Sequence, residues 1–341
     1  MRSNREKTYS VAVIGATGAV GKMFLQKLKE ENFSVSDLYL YASDQSAGKS
    51  ILFQDREYIV QSLFEENIPQ VDFAFFSSGD DVSAQWAESF VRQGAWVIDN
   101  SAAFRMNSNI DLVVPEVNGD LLSKIQNRII ANPNCSTIQL VLPLAALQKS
   151  FGLQQVIVSS YQAVSGAGQP GIDELQQQNS DHPSQPPRVF ARRISKNCIP
   201  QIGSFDQEGL SSEEKKIQNE TKKILRDPHL SVSAFTVRIP IPNVHSECVW
   251  VRLKSRVTKE QILESLKKQP GLIVSAQDDQ YPTALDVHGK DPVFVGRIHQ
   301  DSDDPYVWKL WVVADNLRKG AATNGLQIAQ EILRYQNRQQ G

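Results

Sequence analysis

The chain has 341 residues, 40% of them hydrophobic and 22% charged, and its formal net charge at pH 7 is −2. These values describe a globular protein with enough residues for two domains, and they exclude an intrinsically disordered chain. Because the net charge is close to zero, neither nucleic acid nor an anionic membrane is expected as a partner.

Targeting and membrane segments are not expected either. No apolar run approaches the roughly 20 residues of a membrane-spanning helix, and the first ten residues, MRSNREKTYS, are polar and lack the apolar core of a signal peptide. The three cysteines, Cys135, Cys198 and Cys248, are too few for a disulfide framework and too far apart in sequence for a zinc site. We therefore expect a cytoplasmic protein without a bound metal ion.

The first 130 residues alternate strand and helix patterns. Residues 20–31 have helical spacing, and the short apolar runs are YSVAVIG, LYLYAS, VDFAFFSS, AWVIDNS and IDLVVPE. Strands this apolar, separated by helices, predict a parallel sheet that is covered on both faces. In such a sheet, functional residues gather at the carboxyl ends of the strands.

A glycine-rich turn follows the first predicted strand. The stretch VAVIGATGAVG places Gly15, Gly18 and Gly21 between that strand and a helix. Glycine lets the backbone approach a pyrophosphate, which then sits at the helix N-terminus. The spacing G-x-x-G-x-x-G is a variant of the usual fingerprint, and a tight strand-to-helix turn uses glycine in any case. The position in the first strand–helix unit favours a dinucleotide.

The end of the second predicted strand, YASDQSAGKS, leaves the choice between NAD and NADP open. Asp44 could hold the ribose of NAD. Ser43, Ser46 and Lys49 could equally surround the 2′-phosphate of NADP.

The stretch ANPNCST places Cys135 at the start of a predicted helix that continues as IQLVLPLAAL. The first backbone N–H groups of a helix lack partners and the helix dipole favours negative charge there, which stabilises a reactive thiolate. The alternative is that Asn134 or Ser136 caps the helix and that the cysteine is incidental.

The second half of the chain is richer in β-branched stretches. These are LQQVIVSSYQAV, SVSAFTVRIPIP, HSECVWVRLKSRV and DPYVWKLWVVAD, and they predict a largely antiparallel sheet in an α+β domain. Residues 178–208, with four prolines, are predicted to form a loop. Residues 317–335 are predicted to form one helix that folds back onto the nucleotide domain. We expect domains at 1–134 and 135–316, with the helix at about 317–336 packed on the first.

Polar residues at other predicted strand or helix ends complete the set of candidates. Gln162 precedes a small Ser-Gly-Ala-Gly loop, and VRIPIPNVHSE places Arg238 and His245 on neighbouring strand segments joined by a turn. Guanidinium suits a two-pronged grip on a carboxylate, and imidazole is the usual proton shuttle near neutral pH. Arg105 follows a predicted strand end. SSEEKKIQNETKK begins a predicted helix, and its many charged residues are typical of a helix face exposed to solvent.

Taken together, these motifs resemble the aspartate-semialdehyde dehydrogenase family. They are, in order, GATGAVG, SAAFR, NPNCST, SYQAVSGAG, EEKKIQNETKKIL, VRIPIPNVHSE and DNLRKGAA, and they extend over nearly the whole chain. NPNCST followed by SYQAVSGAG is specific, whereas the glycine turn alone is not. The resemblance implies an α/β fold, with a Rossmann-type dinucleotide-binding domain and an α+β catalytic and dimerisation domain.

The resemblance also implies a role for each motif residue. Cys135 would be the nucleophile, and His245 the acid/base. The substrate- and phosphate-binding residues would be Gln162 (orienting the substrate), Arg238 (its carboxylate), Glu213 (its amino group), and Arg105, Asn134 and Lys216 (the phosphate). The residues lining the NADP-binding site would be Gly15, Thr17, Gly18, Ala19, Val20, Ser43, Gln45, Ser46, Ser165, Gly166 and Asn316. Gln45 departs from the pattern, because the family often has an arginine there that contacts the 2′-phosphate.

The implied reaction is the NADPH-dependent conversion of aspartyl phosphate to aspartate semialdehyde and phosphate through a cysteine thioester, in a homodimer or a dimer of dimers. Two alternatives are considered. One is N-acetyl-γ-glutamyl-phosphate reductase, which uses a catalytic cysteine and histidine in the same way on a related fold. The other is a non-catalytic homologue, which we would expect to have lost the nucleophile or the histidine.

Overall fold

The computed structural model describes residues 7–180 and 186–340, and the chain divides into two compact units. The first consists of Met1–Pro115, Gly119–Pro133 and Ala321–Gly341, and the second of Glu116–Asn118 and Asn134–Gly320. These boundaries differ from the expected ones, because Asn134, residues 116–118 and residues 317–320 lie in the second unit. Within that unit, the Lys319 ammonium donates to both carboxylate oxygens of Glu116, at 2.8 and 2.7 Å.

The first unit contains a five-stranded parallel sheet with the strand order β2-β1-β5-β6-β7 and a separate hairpin, β3-β4. Its strands are β1 (Tyr9–Ile14), β2 (Val35–Tyr41), β3 (Ser50–Phe53), β4 (Arg56–Ile59), β5 (Phe73–Phe76), β6 (Trp96–Asp99) and β7 (Ile129–Ala131). Its helices are α1 (Ala19–Glu30), α2 (Asp80–Arg92) and α9 (Thr323–Gln340). The direction of the chain along the sheet reverses at β1, so the crevice between the carboxyl ends of β1 and β5 is where ligands of such sheets bind.

The core of the first unit joins the sheet to α1 and α9. The rings of Phe24 (α1) and Phe75 (β5) lie 4.8 Å apart. Leu326 and Ala329 of α9 are buried in the same apolar cluster. A Cβ on Gly325 would come within 2.7 Å of the Phe24 ring, so α9 approaches α1 closely because residue 325 has no side chain.

The prediction of a parallel sheet in this half is confirmed, but one predicted strand is wrong. Leu112, in IDLVVPE, makes only an isolated bridge to Ala131. Pro115 then begins the short helix α3 (Pro115–Asn118), because proline is well suited to the first helical position. The hairpin β3-β4 and the three-residue strand β7 were not predicted.

The second unit contains a six-stranded mixed sheet with the order β11-β12-β13-β10-β8-β9. Its strands are β8 (Leu153–Gln162), β9 (Ser231–Arg238), β10 (His245–Leu253), β11 (Leu272–Val274), β12 (Val293–Gln300) and β13 (Val307–Ala314). Its helices are α4 (Cys135–Phe151), α5 (Gly168–Gln178), α6 (Ser212–Ile224), α7 (Lys259–Lys267) and α8 (Ala284–Val287). The pairs β12/β13, β13/β10 and β10/β8 are antiparallel, as expected, whereas β11/β12 and β8/β9 are parallel.

The expectation that the strand segments of Arg238 and His245 are neighbours is wrong. Strand β8 lies between β9 and β10, and residues 239–244 cross its end. The crossing is held by the Ile239 N–H, which donates to the Gln162 carbonyl at 2.9 Å. This insertion of β8 places Gln162 between the other two residues.

The predicted loop at 178–208 is attached to α5 by two buried side chains. A carboxylate oxygen of Glu174 accepts from the N–H groups of Arg188 and Val189, and the Gln178 amide oxygen accepts from those of Ile194 and Ser195. Pro183 of this segment lies outside the described residues. No helix in the described part of the chain is both long and apolar enough to cross a membrane.

Candidate active site

Helix α4 begins at Cys135, and Asn134 is its N-cap. The Asn134 side-chain oxygen accepts from the N–H groups of Ser136 and Thr137 at 3.0 and 3.2 Å. Cys135 is half-buried, and the first turn of the helix contains no acidic residue. The capping alternative and the nucleophile hypothesis are therefore compatible, since Asn134 supplies the cap and leaves Cys135 at the positive end of the helix.

Three of the predicted residues lie in one row across adjacent strands. Gln162 pairs in register with Arg238 on β9. On the other side of β8, Ser246 pairs with Tyr161, so His245, which precedes Ser246 on the antiparallel strand β10, lies level with Gln162. All three side chains are buried. The row forms because β8 and β9 end, and β10 begins, at the same level of the sheet. Sequence spacing does not reveal this alignment.

His245 is held in one tautomer by a backbone amide. The Ala163 N–H donates to its Nδ1 at 3.1 Å, so the proton of the neutral ring is on Nε2. Burial, together with the positive charge of Arg238, places the pKa of His245 well below its usual value, although the Val244 backbone opposes this. Nε2 is buried and has no hydrogen-bond partner among the described residues. Near neutral pH, His245 therefore offers an N–H donor.

Arg238 is also held by Ala163, through the carbonyl of that residue. Its Nη1 donates to this oxygen at 2.6 Å. Burial lowers the pKa of Arg238, and electrostatic interactions with Glu213 and Cys135 oppose that shift. A Cβ on Gly166 would lie 2.5 Å from Nη1 of Arg238 and 3.2 Å from Nε2 of His245. The lack of a side chain at Gly166 therefore leaves room for both groups.

Glu213 connects helix α6 to the nucleophile turn and to β8. Its Oε1 accepts from the side-chain amides of Asn134 at 2.9 Å and Gln162 at 3.2 Å, and its Oε2 lies 3.6 Å from the Lys216 ammonium. The Asn134 N–H donates to Glu220 at 2.7 Å. Glu213 and Glu220 are both buried. The prediction that most of α6 faces solvent was therefore wrong for these two residues.

Ser165 and Asn316 contact each other and the segment that precedes His245. The Asn316 amide nitrogen donates to the Ser165 hydroxyl at 2.9 Å, and its amide oxygen accepts from the Val244 N–H at 3.0 Å. Val244 has φ = 79°, a conformation that is rare for a β-branched residue and that the surrounding structure must enforce. These bonds fix the start of β10.

The glycine turn of the first unit fits a dinucleotide. A Cβ on Gly15 would lie 2.7 Å from the Ser77 carbonyl oxygen, and one on Gly21 would lie 2.1 Å from the Gly15 carbonyl oxygen, so only glycine allows this tight a turn. Helix α1 begins at Ala19, with no side-chain cap and no acidic residue in its first turn. Its N–H groups are therefore available to an anion. The predicted Thr17, Gly18, Ala19 and Val20 all lie at this turn.

The residues predicted near the 2′-phosphate follow β2. Asp44–Ser46 form a single 3₁₀ turn, in which Gln45 is exposed. The Lys49 ammonium donates to the Ser46 hydroxyl at 3.4 Å, and Ser43 is exposed next to the turn. The segment offers one cation and several hydroxyl and amide donors.

Arg105 is buried in the first unit, in the loop that follows β6. Its Nε donates to the Asn132 carbonyl at 3.0 Å, and Nη2 donates to the Asn100 carbonyl at 2.8 Å. Asp99 orders the start of this loop, because it accepts the hydroxyl protons of Ser83 and Ser101, each at 2.7 Å; burial raises the pKa of Asp99.

Sequence reasoning missed three residues that shape the site. Ala163 holds both Arg238 and His245 through backbone groups, for which no sequence signal exists. Glu220 orients the Asn134 backbone. A Cβ on Gly320 would lie 2.9 Å from the Cβ of Cys135, and the glycine in DNLRKGAA was the signal that could have revealed this close approach.

The chain is similar to known proteins over nearly its whole length. The model of the semialdehyde dehydrogenase NAD-binding domain matches residues 10–125, and that of the semialdehyde dehydrogenase dimerisation domain matches residues 144–319. The chain is 44% identical to the aspartate-semialdehyde dehydrogenase of Aquifex aeolicus over 334 residues, covering 96% of this chain and 98% of the relative. It is 46% identical to that of Bacillus subtilis over 337 residues, covering 94% and 96% of the two chains.

Solved structures with the same name share the fold. The crystal structure of aspartate semialdehyde dehydrogenase II complexed with ASA from Vibrio cholerae matches with a TM-score of 0.92 and 41% identity, covering 96% of this chain and 99% of that one. The Candida albicans enzyme, solved with NADP, matches with a TM-score of 0.76 and 28% identity, covering 97% and 99%. With the motifs, the fold and the full-length relatives in agreement, the chain belongs to the aspartate-semialdehyde dehydrogenase family.

Proposed function

We propose that the chain catalyses the NADPH-dependent reductive dephosphorylation of L-aspartyl-4-phosphate to L-aspartate 4-semialdehyde, the branch point towards lysine, threonine, methionine and diaminopimelate. The observation that carries the proposal is the position of Cys135 at the start of α4, with Asn134 as the cap and no acidic residue in the first turn. The catalytic unit would be the second unit, and the nucleotide-binding unit the first.

Cys135 is the nucleophile. The helix dipole and the Arg238 charge both favour its thiolate. The sulfur electron pair forms a bond to the acyl carbon, and the acyl C–O bond breaks with its pair on the phosphate oxygen, which takes up one proton. The product of this half-reaction is a thioester on Cys135, and covalent catalysis thereby divides one difficult step into two.

His245 acts on the carbonyl oxygen as the acid of the site. Its Nε2–H is the free donor of the ring, since Nδ1 is engaged by Ala163. A buried donor aimed at a developing oxyanion stabilises the transition state without having to reorganise. When the thiohemiacetal oxyanion later reforms a carbonyl, the C–S pair returns to sulfur and the aldehyde is released.

The remaining residues bind and orient the substrate. Arg238 grips the carboxylate, and Glu213 accepts from the amino group, for which its position between Asn134 and Gln162 is suitable. Gln162 orients the acyl group. Asn134, Lys216 and, in the first unit, Arg105 are the proposed phosphate ligands; the last is held in place by the two carbonyls that it contacts.

NADPH, when bound, supplies the hydride that reduces the thioester carbon. The Gly15–Val20 turn would hold its pyrophosphate, and Ser43, Gln45 and Ser46 would lie near the 2′-phosphate. Ser165, Gly166 and Asn316 are the proposed contacts from the second unit. The tightness of the glycine turn and the open start of α1 support this assignment.

The chain forms a homodimer through its dimerisation domain, and we propose that the exposed face of the six-stranded sheet is the contact. Ile157 and Phe235 are about half exposed on this face, and a groove of about 740 Å³ there is lined by Tyr161, Trp250 and Trp311. Further association into a dimer of dimers is a separate prediction that light scattering tests. We expect the enzyme in the cytoplasm, where a reducing environment keeps Cys135 free.

The test is an NADPH absorbance assay in the oxidative direction, with aspartate semialdehyde and phosphate and with NADP or NAD in turn. The wild type should be active, and Cys135→Ser should abolish turnover while retaining the fold and cofactor binding, because a hydroxyl is far less nucleophilic at neutral pH. Substantial activity of Cys135→Ser would eliminate the covalent mechanism. Reduction assays with aspartyl phosphate and N-acetylglutamyl phosphate distinguish this function from that of the sister enzyme.

A further inference from the structure

Buried polar side chains lie one layer beneath the catalytic residues in the second unit. Gln139 is one helical turn beyond Cys135 in α4, Ser160 precedes Gln162 by two residues in β8, and Glu247 follows His245 by two residues in β10. Residues i and i+4 of a helix share a face, as do residues i and i+2 of a strand. We call Gln139, Ser160 and Glu247 the polar floor; all three are 0% exposed.

The polar floor is only one layer deep. One repeat further from the site, the corresponding residues are Pro143 in α4, Val158 in β8 and Val249 in β10, and all are buried and apolar. Packing of this core therefore does not require polar groups, and a buried carboxyl group costs stability unless it is paired. Their confinement to the layer beneath the site indicates a role in positioning that site.

Glu247 has no cationic partner among the described residues. It pairs in register with Ser160 on one side and with Val312 on the other, and the side chain that faces it from α4 is Gln139. Burial raises the pKa of Glu247 well above its usual value; the Gln139 amide opposes this shift, and the negative charge of Glu213 adds to it. Burial therefore favours the neutral form of the Glu247 carboxyl group.

The Gln139 amide is complementary to a neutral carboxyl group. A carboxylic acid has one O–H donor and one carbonyl acceptor, and a primary amide has the matching acceptor and donors. The amide lies close enough to influence Glu247, yet no atom of either group meets hydrogen-bond geometry in the conformation described. The amide and carboxyl torsions are soft, so small rotations satisfy both groups.

We propose that Glu247 is a positioning residue that works as a neutral acid, paired with Gln139 by two hydrogen bonds, and that this pair sets the position of Cys135 relative to His245. The pair joins the second turn of α4 to the start of β10. The inference rests on the proposed roles of Cys135 and His245.

The neutral state matters because of the charges nearby. Among the described residues, the charge that acts on Glu247 is that of Glu213 in α6. His245 precedes Glu247 by two residues on the same strand, and Cys135 lies one helical turn before Gln139 in α4. The register partners of Glu247 on β8 and β13, Ser160 and Val312, are not titratable. An ionised Glu247 would add a second buried negative charge near the thiolate and disfavour it. A neutral acid can connect helix and strand without that effect.

The proposal is tested with Glu247→Gln, Glu247→Met, Gln139→Glu and the swapped double variant Gln139→Glu/Glu247→Gln. Glu174→Gln is the control, because Glu174 is buried but accepts backbone N–H bonds away from the site. For each protein, kcat and KM are measured across pH. The rate of Cys135 alkylation by iodoacetamide is measured by peptide mass spectrometry, because Cys198 is exposed and also reacts.

We expect Glu247→Gln to keep kcat within about threefold of the wild type, because an amide pairs with Gln139 as a neutral acid does. Glu247→Met should lower kcat roughly tenfold or more with little change in KM, the order expected for a slightly displaced catalytic group. Gln139→Glu should lose activity as pH rises and one of its two acids ionises. The swapped double variant should recover activity at high pH, and the control should leave the alkylation profile unchanged.

Three results would overturn the proposal. The first is a Glu247→Gln variant as impaired as Glu247→Met, and the second is a swapped variant no more active than Gln139→Glu. The third is a shift of the Cys135 alkylation profile to lower pH in Glu247→Gln, because this would mean that Glu247 is ionised in the wild type. If Glu247→Met does not fold, Glu247→Gln and the swap decide. Alkylation needs no substrate, so an inactive wild type would count against the proposed function and not against this pair.

Discussion

Replacing Gly166 with alanine would place one methyl group against two catalytic side chains. The added Cβ would lie 2.5 Å from Nη1 of Arg238 and 3.2 Å from Nε2 of His245, whereas ordinary contacts begin at 3.4 Å. Gly166 lies in the short turn Val164–Ala167, and its φ is outside the left-handed region, so alanine is compatible with the backbone. The perturbation is therefore confined to the site.

The size of the effect follows from these distances. The guanidinium must move by about 0.9 Å, the difference between 2.5 Å and the closest ordinary contact at 3.4 Å. Nη1 would then lose its 2.6 Å bond to the Ala163 carbonyl. A misplacement of about 1 Å costs roughly 100-fold in rate, or about 2.7 kcal/mol in the barrier. The free energy of unfolding should fall by about 1.5–3 kcal/mol, the contribution of a hydrogen bond from a charged group, since Arg238 is buried and loses its bond to Ala163.

The assay is kcat/KM for aspartate semialdehyde, with urea unfolding of the same preparations. Gly119→Ala is the matched control, because its Cβ would meet only the Pro115 side chain, at 3.8 Å. Combining Gly166→Ala with Arg238→Lys should add little to the stronger single effect, since both act on the same group. The reasoning would be refuted if folded Gly166→Ala kept kcat/KM within about threefold of the wild type, a change far smaller than the displacement implies.

Three further predictions concern the binding of the substrate carboxylate, the cofactor preference and the pH dependence of stability. Arg238→Lys should lower kcat/KM for aspartate semialdehyde by roughly 100-fold, because lysine lacks the two-pronged geometry; wild-type kinetics would make Arg238 purely structural. Wild type should prefer NADP, and Gln45→Arg should lower the KM for NADP and leave that for NAD nearly unchanged; a preference for NAD, or equal effects on both, would contradict this. The raised pKa of Glu247 means that its stabilising contribution is full below the unfolded pKa and falls as pH rises towards the folded pKa. We therefore expect the free energy of unfolding of Glu247→Gln, measured in urea at a fixed protein concentration, to rise relative to that of the wild type. The rise should be about 1.4 kcal/mol per pH unit from about pH 4.3 up to the folded pKa. An unchanged difference between pH 5 and 7 would be inconsistent with a neutral Glu247.

The sequence predicted the local features of the site well. The glycine turn, the helix that begins at Cys135 and the strand end at Gln162 all depend on neighbours within a few residues. A tight strand-to-helix turn needs glycine, and a helix start needs a cap such as Asn134. The parallel sheet of the first unit and the antiparallel pairs of the second also follow from runs of apolar residues that local patterns record, whereas the parallel pairs β11/β12 and β8/β9 were not predicted.

Patterns failed where a distant partner decides the outcome. IDLVVPE is apolar like a strand, yet only Leu112 bridges to Ala131. The glutamates of α6 look solvated by composition, but Glu213 and Glu220 are buried because Asn134 and Gln162 donate to them. A charge pattern along one helix does not reveal which donors another element will bring.

By itself, the sequence determined the kinds of groups present and the local geometry that makes them reactive, above all a cysteine at a capped helix start. The tertiary structure alone decided that β8 separates β9 from β10, which aligns Gln162, Arg238 and His245 in one row. It also decided that Ala163 fixes the tautomer of His245 and that Glu247 lies beneath it. The physical reason is that turns and caps depend on bonds between near neighbours, whereas strand order and burial depend on pairings between residues distant in sequence, which the chain specifies only when it folds as a whole.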